Sequence, residues 1–499
     1  MTRRPLLSCT LAMLLSMAAT AQEPAARWPQ FRGPGGSGIA EGQKPPEQFG
    51  PAINLLWKTP LPAGHSAPCI WNDRIFLTAS AGREIQTLGI SRQDGSVLWR
   101  VPLAVQKLEP INGTNSLATP TPATDGQRVY ACFGSFGAVA YDLDGHELWR
   151  RQLPVGNVRH GSAASPILAG GKLIINGDQE RWASVLIALD PATGEIAWQT
   201  PRPQFLSSHT TPIQWSHDGV DEVVVAGSVL LAGYDLKDGA ERWRCSGLEA
   251  VSICPSPVIG DGAIYAMSYS IGEEPIPTWE KLLAEQDADK DGRISRKEAN
   301  VLIQGVFSII DTNNDGFITA DEYAPVYQFL KQGRPGLFAV RAPVTAVAPA
   351  PAASPAPAIA DRGPAARTPV NDITATHKLW TWNKPVSTIA SPLFYQGRIY
   401  LIRDGGMLTC LDAKTGAAAY ENKRVGATGE FWASPLAADG RIYLASRNGS
   451  VCVVAAGDEF KTIAKNEMGE RITATPAIAD NKLYIRTEKH LWAFGTGSK

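Results

Sequence analysis

Short apolar runs separated by turn formers recur along most of the chain. A small residue followed by proline opens each run, and a β-rich pair such as Ile-Tyr follows six or seven residues later. The copies read APCIWNDRIFL, TPATDGQRVYA, SPILAGGKLII, TPIQWSHDGVDEVVV, SPVIGDGAIYA, SPLFYQGRIYL, SPLAADGRIYL and TPAIADNKLYI. Their prolines are Pro68, Pro122, Pro166, Pro212, Pro257, Pro392, Pro435 and Pro476, in steps of 54, 44, 46, 45, 135, 43 and 41 residues. Between them a second pattern returns: QDGSVLW ending at Trp99, LDGHELW at Trp149, DPATGEIAW at Trp198, DLKDGAERW at Trp243 and DAKTGAAAY at Tyr420. Each reads as a tight Asp/Gly turn entering a short strand that ends in an aromatic ring.

A unit of about 44 residues holding four short strands cannot bury both faces alone, so neighbouring units must stack. Radial stacking predicts an all-β, eight-bladed propeller. The recurring Trp is then expected to pack between adjacent blades rather than to touch a ligand. After TPAIADNKLYIRTEKHLWAF the eighth unit has no outer strand of its own, while NLLWKTPLP, around Leu55 to Pro62, has that strand's character. The first strand is expected to complete the last blade and remove an open edge.

The one long step predicts an all-α insertion in blade five, residues 269–334, carrying two metal-binding loops. DADKDGRISRKE places Asp287, Asp289, Asp291, Arg293, Ser295 and Glu298 at loop positions 1, 3, 5, 7, 9 and 12, with Gly292 at 6. DTNNDGFITADE repeats the pattern with Asp311, Asn313, Asp315, Phe317, Thr319, Glu322 and Gly316. Calcium takes six to eight hard oxygens, which a Gly-opened turn supplies from alternate positions, with a backbone carbonyl at 7 and two oxygens from the final Glu. Two calcium ions are therefore expected. From Glu273 to Glu322 there are twelve acidic and five basic residues, a local cation-attracting field. Helix–loop–helix flanks fit: TWEKLLAEQ before, EANVLIQGVFSII between and EYAPVYQFLKQ after, with Ser295 to Glu298 and Thr319 to Glu322 reading as capping boxes. Only twelve residues separate the loops, so one helix serves both, and the ions are expected to clamp the insertion rather than switch it.

The remaining organisation follows from these marks. Residues 1–21 read as a secretory signal, with two arginines, an apolar stretch and Ala19-Thr20-Ala21 ahead of a cut near Ala21, so the mature chain is expected to be periplasmic or secreted. Residues 22–50 form an N-terminal extension and 51–268 the propeller up to the insertion. Residues 335–341 return a blade-five strand, 342–371 are an Ala/Pro-rich tether, and 372–499 finish blade five and supply blades six to eight. No later segment approaches the ~18 uninterrupted apolar residues of a membrane span.

The turn-and-Trp pattern, above all ALDPATGEIAW, the Ser-Pro and Thr-Pro strand openings, and WPQFRGPGGSG at Trp28 to Gly38 resemble the pyrroloquinoline-quinone-binding-like, quinoprotein-type β-propeller repeat proteins of exported bacterial type. The resemblance implies the propeller fold. It leaves activity open, because such repeats build both quinone-dependent dehydrogenases and a non-enzymatic propeller of the outer-membrane assembly machinery. In the dehydrogenases, the resemblance implies, quinone lies over the axis between a Trp and a disulfide of adjacent cysteines, beside a calcium ion and a catalytic Asp. This chain has no Cys-Cys pair, and no catalytic residue is carried over.

Residues just before the inner strands should line the axial channel: Asn115, Ser116, Arg159, His160, Ser208, His209, Ser387, Glu430 and Trp432. Of these, Arg159, His160, His209, Glu430 and Trp432 would suit a polyanionic quinone or another small acid. A formal net charge of -1 offers no field for nucleic acid. Six cysteines remain after residue 21, too widely spaced to assign a bridge. The dispersed histidines form no HExxH zinc motif, and there is neither a GxSxG elbow nor a phosphate loop. The sequence favours a calcium-binding scaffold for a protein or cell-envelope partner over a quinone-dependent alcohol or sugar dehydrogenase.

Overall fold

The computed structural model describes residues 26–496 except 159, 181–182, 204, 206, 249–252, 270–276, 301–302, 305–306, 308–309, 335 and 342–370. The signal segment, Arg159 and the tether up to residue 370 lie outside the described residues. Eight antiparallel sheets, each with four meandering strands, form the blades of a propeller. Blade three shows the common pattern, running outward from the axis through Ile167–Ala169, Lys172–Gly177, Val185–Leu189 and Ile196–Pro201. Its middle strands are buried almost throughout because a neighbouring blade covers each face. Outer strands such as Val97–Leu103 instead alternate between covered and exposed positions.

Closure occurs where the sequence places it. Leu55–Pro60 pairs antiparallel with His490–Phe494, from Leu55 opposite Phe494 to Pro60 opposite His490, and becomes the outer strand of blade eight. Joining residues from distant parts of the chain gives blade eight its fourth strand and closes the ring.

The third-to-fourth strand pairing of every blade contains a register shift near the aromatic position. Such a bulge bends the strand and re-aims the side chain beside it. Indole N–H groups then cross to the next blade: Trp57 donates to Arg92 O, Trp99 to Leu143 O, Trp149 to Pro191 O, Trp198 to Leu236 O and Trp380 to Ala413 O, at 2.9–3.1 Å. The ring lies flat on the neighbour's turn glycine. At Gly239, φ is +76° and a Cβ would stand 2.4 Å from Trp198, so the Asp/Gly turn serves both the backbone and the stacked ring. Trp243 departs from the interblade expectation. Its indole N–H donates to Glu222 of its own blade, and in the sequence a long segment rather than a tight Asp/Gly turn links the third and fourth strands of blade five.

A second ring of contacts surrounds the axis. The residue before each marker proline offers its hydroxyl to the preceding blade: the Ala67 N–H donates to Thr121, Thr121 to Ser165, Ser165 to Thr211 and Thr211 to Ser256. The series continues from Ser256 to Ser391, Ser391 to Ser434 and Ser434 to Thr475. All seven bonds measure 2.9–3.1 Å. The eighth position is Ala67, which has no hydroxyl to complete the belt. Across that joint runs Arg486 of blade eight, 1% exposed, donating to Ser66 O, Ser66 Oγ and Thr78 O of blade one.

One end of the axis is plugged by the N-terminal extension. Arg27–Trp28 adds a strand to the inner edge of blade one, Pro29 O accepts from the Thr124 N–H of blade two, and Ile39 bridges Ala437 of blade seven. Arg32, also 1% exposed, reaches Pro392 O of blade six at 2.8 Å. The sequence reading assigned residues 22–50 no such role.

The insertion joins the second and third strands of blade five, Ala263–Ser268 and Gly336–Val340, and so emerges on the face opposite the plug. Its helices Trp279–Gln286 and Ala320–Leu330 flank the loops, and residues 303, 304, 307 and 310 between them are helical. Leu282, Ile294, Ile303, Phe307, Ile310, Ile318 and Tyr323 share one buried cluster with apolar residues of blades three and four. Shared burial fixes the insertion to the propeller. Asn371–Asp372, where the tether returns, pairs parallel with the outer strand of blade four.

Candidate functional site

The inner strands leave a well of about 190 Å³ along the axis. Phe31 of the plug contributes to its wall, as do His65, Asn115, His160, His209, Cys254, Ile389 and Trp432. All seven belt hydroxyls also line it. His160, His209 and Trp432 are thus brought together, whereas Glu430 is turned aside into an ion pair with Arg447. The Arg447 guanidinium lies 3.6 Å from the Trp432 ring centre, stiffening that wall. Ser116 lines a second basin beside the well, Ser208 is buried and bonded to Ala226 O, and Ser387 caps the Ile389 and Ala390 N–H groups.

His209 is 8% exposed, and among the described residues neither ring nitrogen has a partner. Burial, and secondarily the nearby His160, push its pKa down to about 4, so the ring is neutral near pH 7. His65 is likewise pushed down to about 4, first by burial and then by Arg486, Arg447 and Arg471. These arginines line the second basin, of about 310 Å³, which shares His65, Asn115 and Thr473 with the well. Sequence reasoning missed Phe31, His65, the arginines and the belt. The belt did leave a signal, since seven of eight residues before the marker prolines are Ser or Thr.

The insertion holds a second cluster. Both loops have the same backbone plan: Lys290 and Asn314 take positive φ at the fourth position, and Gly292 and Gly316 do so at the sixth, with φ of 79° and 89°. Ile294 and Ile318 pair antiparallel and tie the loops together. Asp287 accepts from the Asp291 and Gly292 N–H groups, and Glu298 folds back to accept from Ala288 and Ser295. Glu322 repeats the latter fold-back to Thr312 and Thr319, and Asp311 accepts from Gly316. Ligand oxygens of Asp287, Asp289 and Asp291 all lie within 4.8 Å of one another. In loop two Asp311 is 5% exposed, and its Oδ1 is buried without a partner among the described residues. An orphaned carboxylate oxygen in a loop that also carries Asn313, Asp315 and Glu322 is chemistry suited to a hard cation.

The fold and its ring of interblade contacts define a quinoprotein-like β-propeller. The chain belongs to the family described as outer membrane protein assembly factor BamB, whose profile matches residues 54–181, 89–321 and 370–487. No curated protein matches it in sequence. Among solved structures, BamB from Moraxella catarrhalis is 14% identical with a TM-score of 0.51, covering 89% of this chain and 98% of that one. A europium-containing methanol dehydrogenase is 10% identical with a TM-score of 0.54, covering 95% and 99%. A quinohemoprotein alcohol dehydrogenase from Comamonas testosteroni is 11% identical with a TM-score of 0.51, covering 96% and 82%. At these identities the shared property is the fold. No helix among the described residues is long and apolar enough to cross a membrane.

Proposed function

We propose that the protein is an exported, calcium-binding β-propeller that serves as a binding scaffold for a protein or cell-envelope partner, with two calcium ions ordering the insertion. The observations that carry the calcium reading are the carboxylates of Asp287, Asp289 and Asp291 within 4.8 Å of one another, and the buried Asp311 Oδ1, which has no partner among the described residues. Asp287, Asp289, Asp291, the Arg293 carbonyl, Ser295 and Glu298 would hold one ion. Asp311, Asn313, Asp315, the Phe317 carbonyl, Thr319 and Glu322 would hold the other. Bound calcium would neutralise the clustered carboxylates, and the shared core with blades three and four would pass that ordering to the propeller face. Family membership and the broad, rigid faces of the fold support the scaffold role.

The alternative is a quinone-dependent oxidoreductase using the axial well, favoured by His209 and Trp432 on one cavity. The wall chemistry fits that cofactor poorly. No Asp or Glu lines the well among the described residues, and the chain has no adjacent cysteines. No catalytic step is therefore assigned.

Calorimetric titration of EGTA-stripped mature protein with calcium tests the first reading. The expected result is two bound ions, reduced to one by Glu322→Gln, with the insertion becoming resistant to protease on loading. Absence of calcium heat overturns it. Stoichiometric heat with pyrroloquinoline quinone, tighter than about 10 μM, transfers the argument to the oxidoreductase.

A further inference from the structure

The well presents an unusual imbalance of hydrogen-bonding groups. Each belt hydroxyl accepts a backbone N–H from the preceding blade, yet among the described residues none of the seven donates its own proton. A hydroxyl has one donor and two acceptor positions, so seven unspent donors remain around one small space. His209, buried with both nitrogens unpartnered among the described residues, adds another donor to the wall. Phe31, Ile389 and Trp432 supply apolar contact.

The charge of the adjoining basin completes the pattern. Arg447, Arg471 and Arg486 line it, against Glu488 at its exposed rim and Glu430 held by Arg447, leaving an excess of one positive charge. Arg486 binds only neutral oxygens, and among the described residues Arg471 forms no ion pair. Burial is the main cause of the lowered basicity of His65, and the positive field of all three arginines at the shared wall adds to it. The plug bounds the axis on the opposite face, so the ligand approaches from the insertion side.

We propose that the joined basin and well form a binding site for a small, acceptor-rich organic dicarboxylate, one carboxylate held near Arg447, Arg471 and Arg486 and the rest of the molecule among the belt hydroxyls and His209. Dicarboxylates bring acceptors and no donors, matching a wall that brings donors. The site requires neither calcium nor quinone: it stands independently of the calcium reading, and it shares the axial well with the oxidoreductase reading.

The test is calorimetry of the mature chain in EGTA with 2-oxoglutarate as probe. One molecule is expected to bind per chain with a Kd below about 1 mM, weakening with added salt. His209→Leu, which removes the buried donor, and Arg471→Gln, which removes exposed charge, are each expected to raise Kd at least about tenfold. The uncharged dimethyl ester is expected to show no binding. Absence of heat with 2-oxoglutarate, equal affinity for the ester, or an unchanged Kd in Arg471→Gln overturns the proposal. Should His209→Leu fail to fold, the rim variant and the ester decide the matter alone.

Discussion

Ser391→Ala tests whether the belt holds the blades together. Ser391 Oγ accepts the Ser256 N–H at 3.0 Å, and the two residues are 3% and 4% exposed. Removing the hydroxyl leaves a backbone donor buried without an acceptor, a cost of about 1–3 kcal/mol, against about 0.5–1.5 kcal/mol for the net value of an ordinary bond. Ala67→Ser is the opposite perturbation. It offers an acceptor to the Thr475 N–H, completes the eighth link, and is expected to stabilise by about 0.5–1.5 kcal/mol if the packed site admits one more oxygen. The assay is urea unfolding, with the midpoint expected to fall for the first variant and rise for the second at unchanged slope. Ser216→Ala, an exposed hydroxyl on blade four, is the control and should stay within about 0.5 kcal/mol of the parent. If Ser391→Ala behaves like the control, the belt bonds are incidental and the interblade apolar surface alone fixes the ring.

Gly239→Ala places a Cβ 2.4 Å from Trp198 at a φ of +76°, so the ring must move or the turn must change. A loss of about 2–4 kcal/mol by urea unfolding, with blue-shifted tryptophan emission moving red, is the expected outcome. Folded His209 has its pKa lowered to about 4 from an unfolded value near 6.5, so its contribution is complete above pH 6.5 and disappears as pH falls toward 4. That window spans about 3 kcal/mol, and because His65 is lowered into the same range, His209→Leu should remove roughly half of the pH dependence of the urea midpoint between pH 7.5 and 4.5.

The repeat was legible because each blade writes the same two local requirements. A Ser-Pro or Thr-Pro opening starts the inner strand, and an Asp/Gly turn precedes the ring that will lie on a glycine of the next blade. The step of 135 residues exposed the insertion, and regular loop spacing marked its twelve candidate ligand positions, because both are properties of neighbours along the chain. The closing strand was legible for the same reason: a unit lacking one strand points to the segment that has one to spare.

Other features arise only when distant residues meet. Nothing local in WPQFRGPGGSG says that it crosses the axis, since its partners Ile70, Thr124, Pro392 and Ala437 come from four different blades. Glu430 shared a loop with Trp432, yet the position of Arg447 drew its carboxylate away from the well. The belt shows the division most clearly. Sequence determined that seven of eight repeats carry a hydroxyl before proline, whereas circular closure brought those hydroxyls onto one axis and left their protons facing a common space. Periodicity determines what each blade contributes, because backbone and turn preferences are local; the site depends on where eight such contributions converge, which only the closed ring decides.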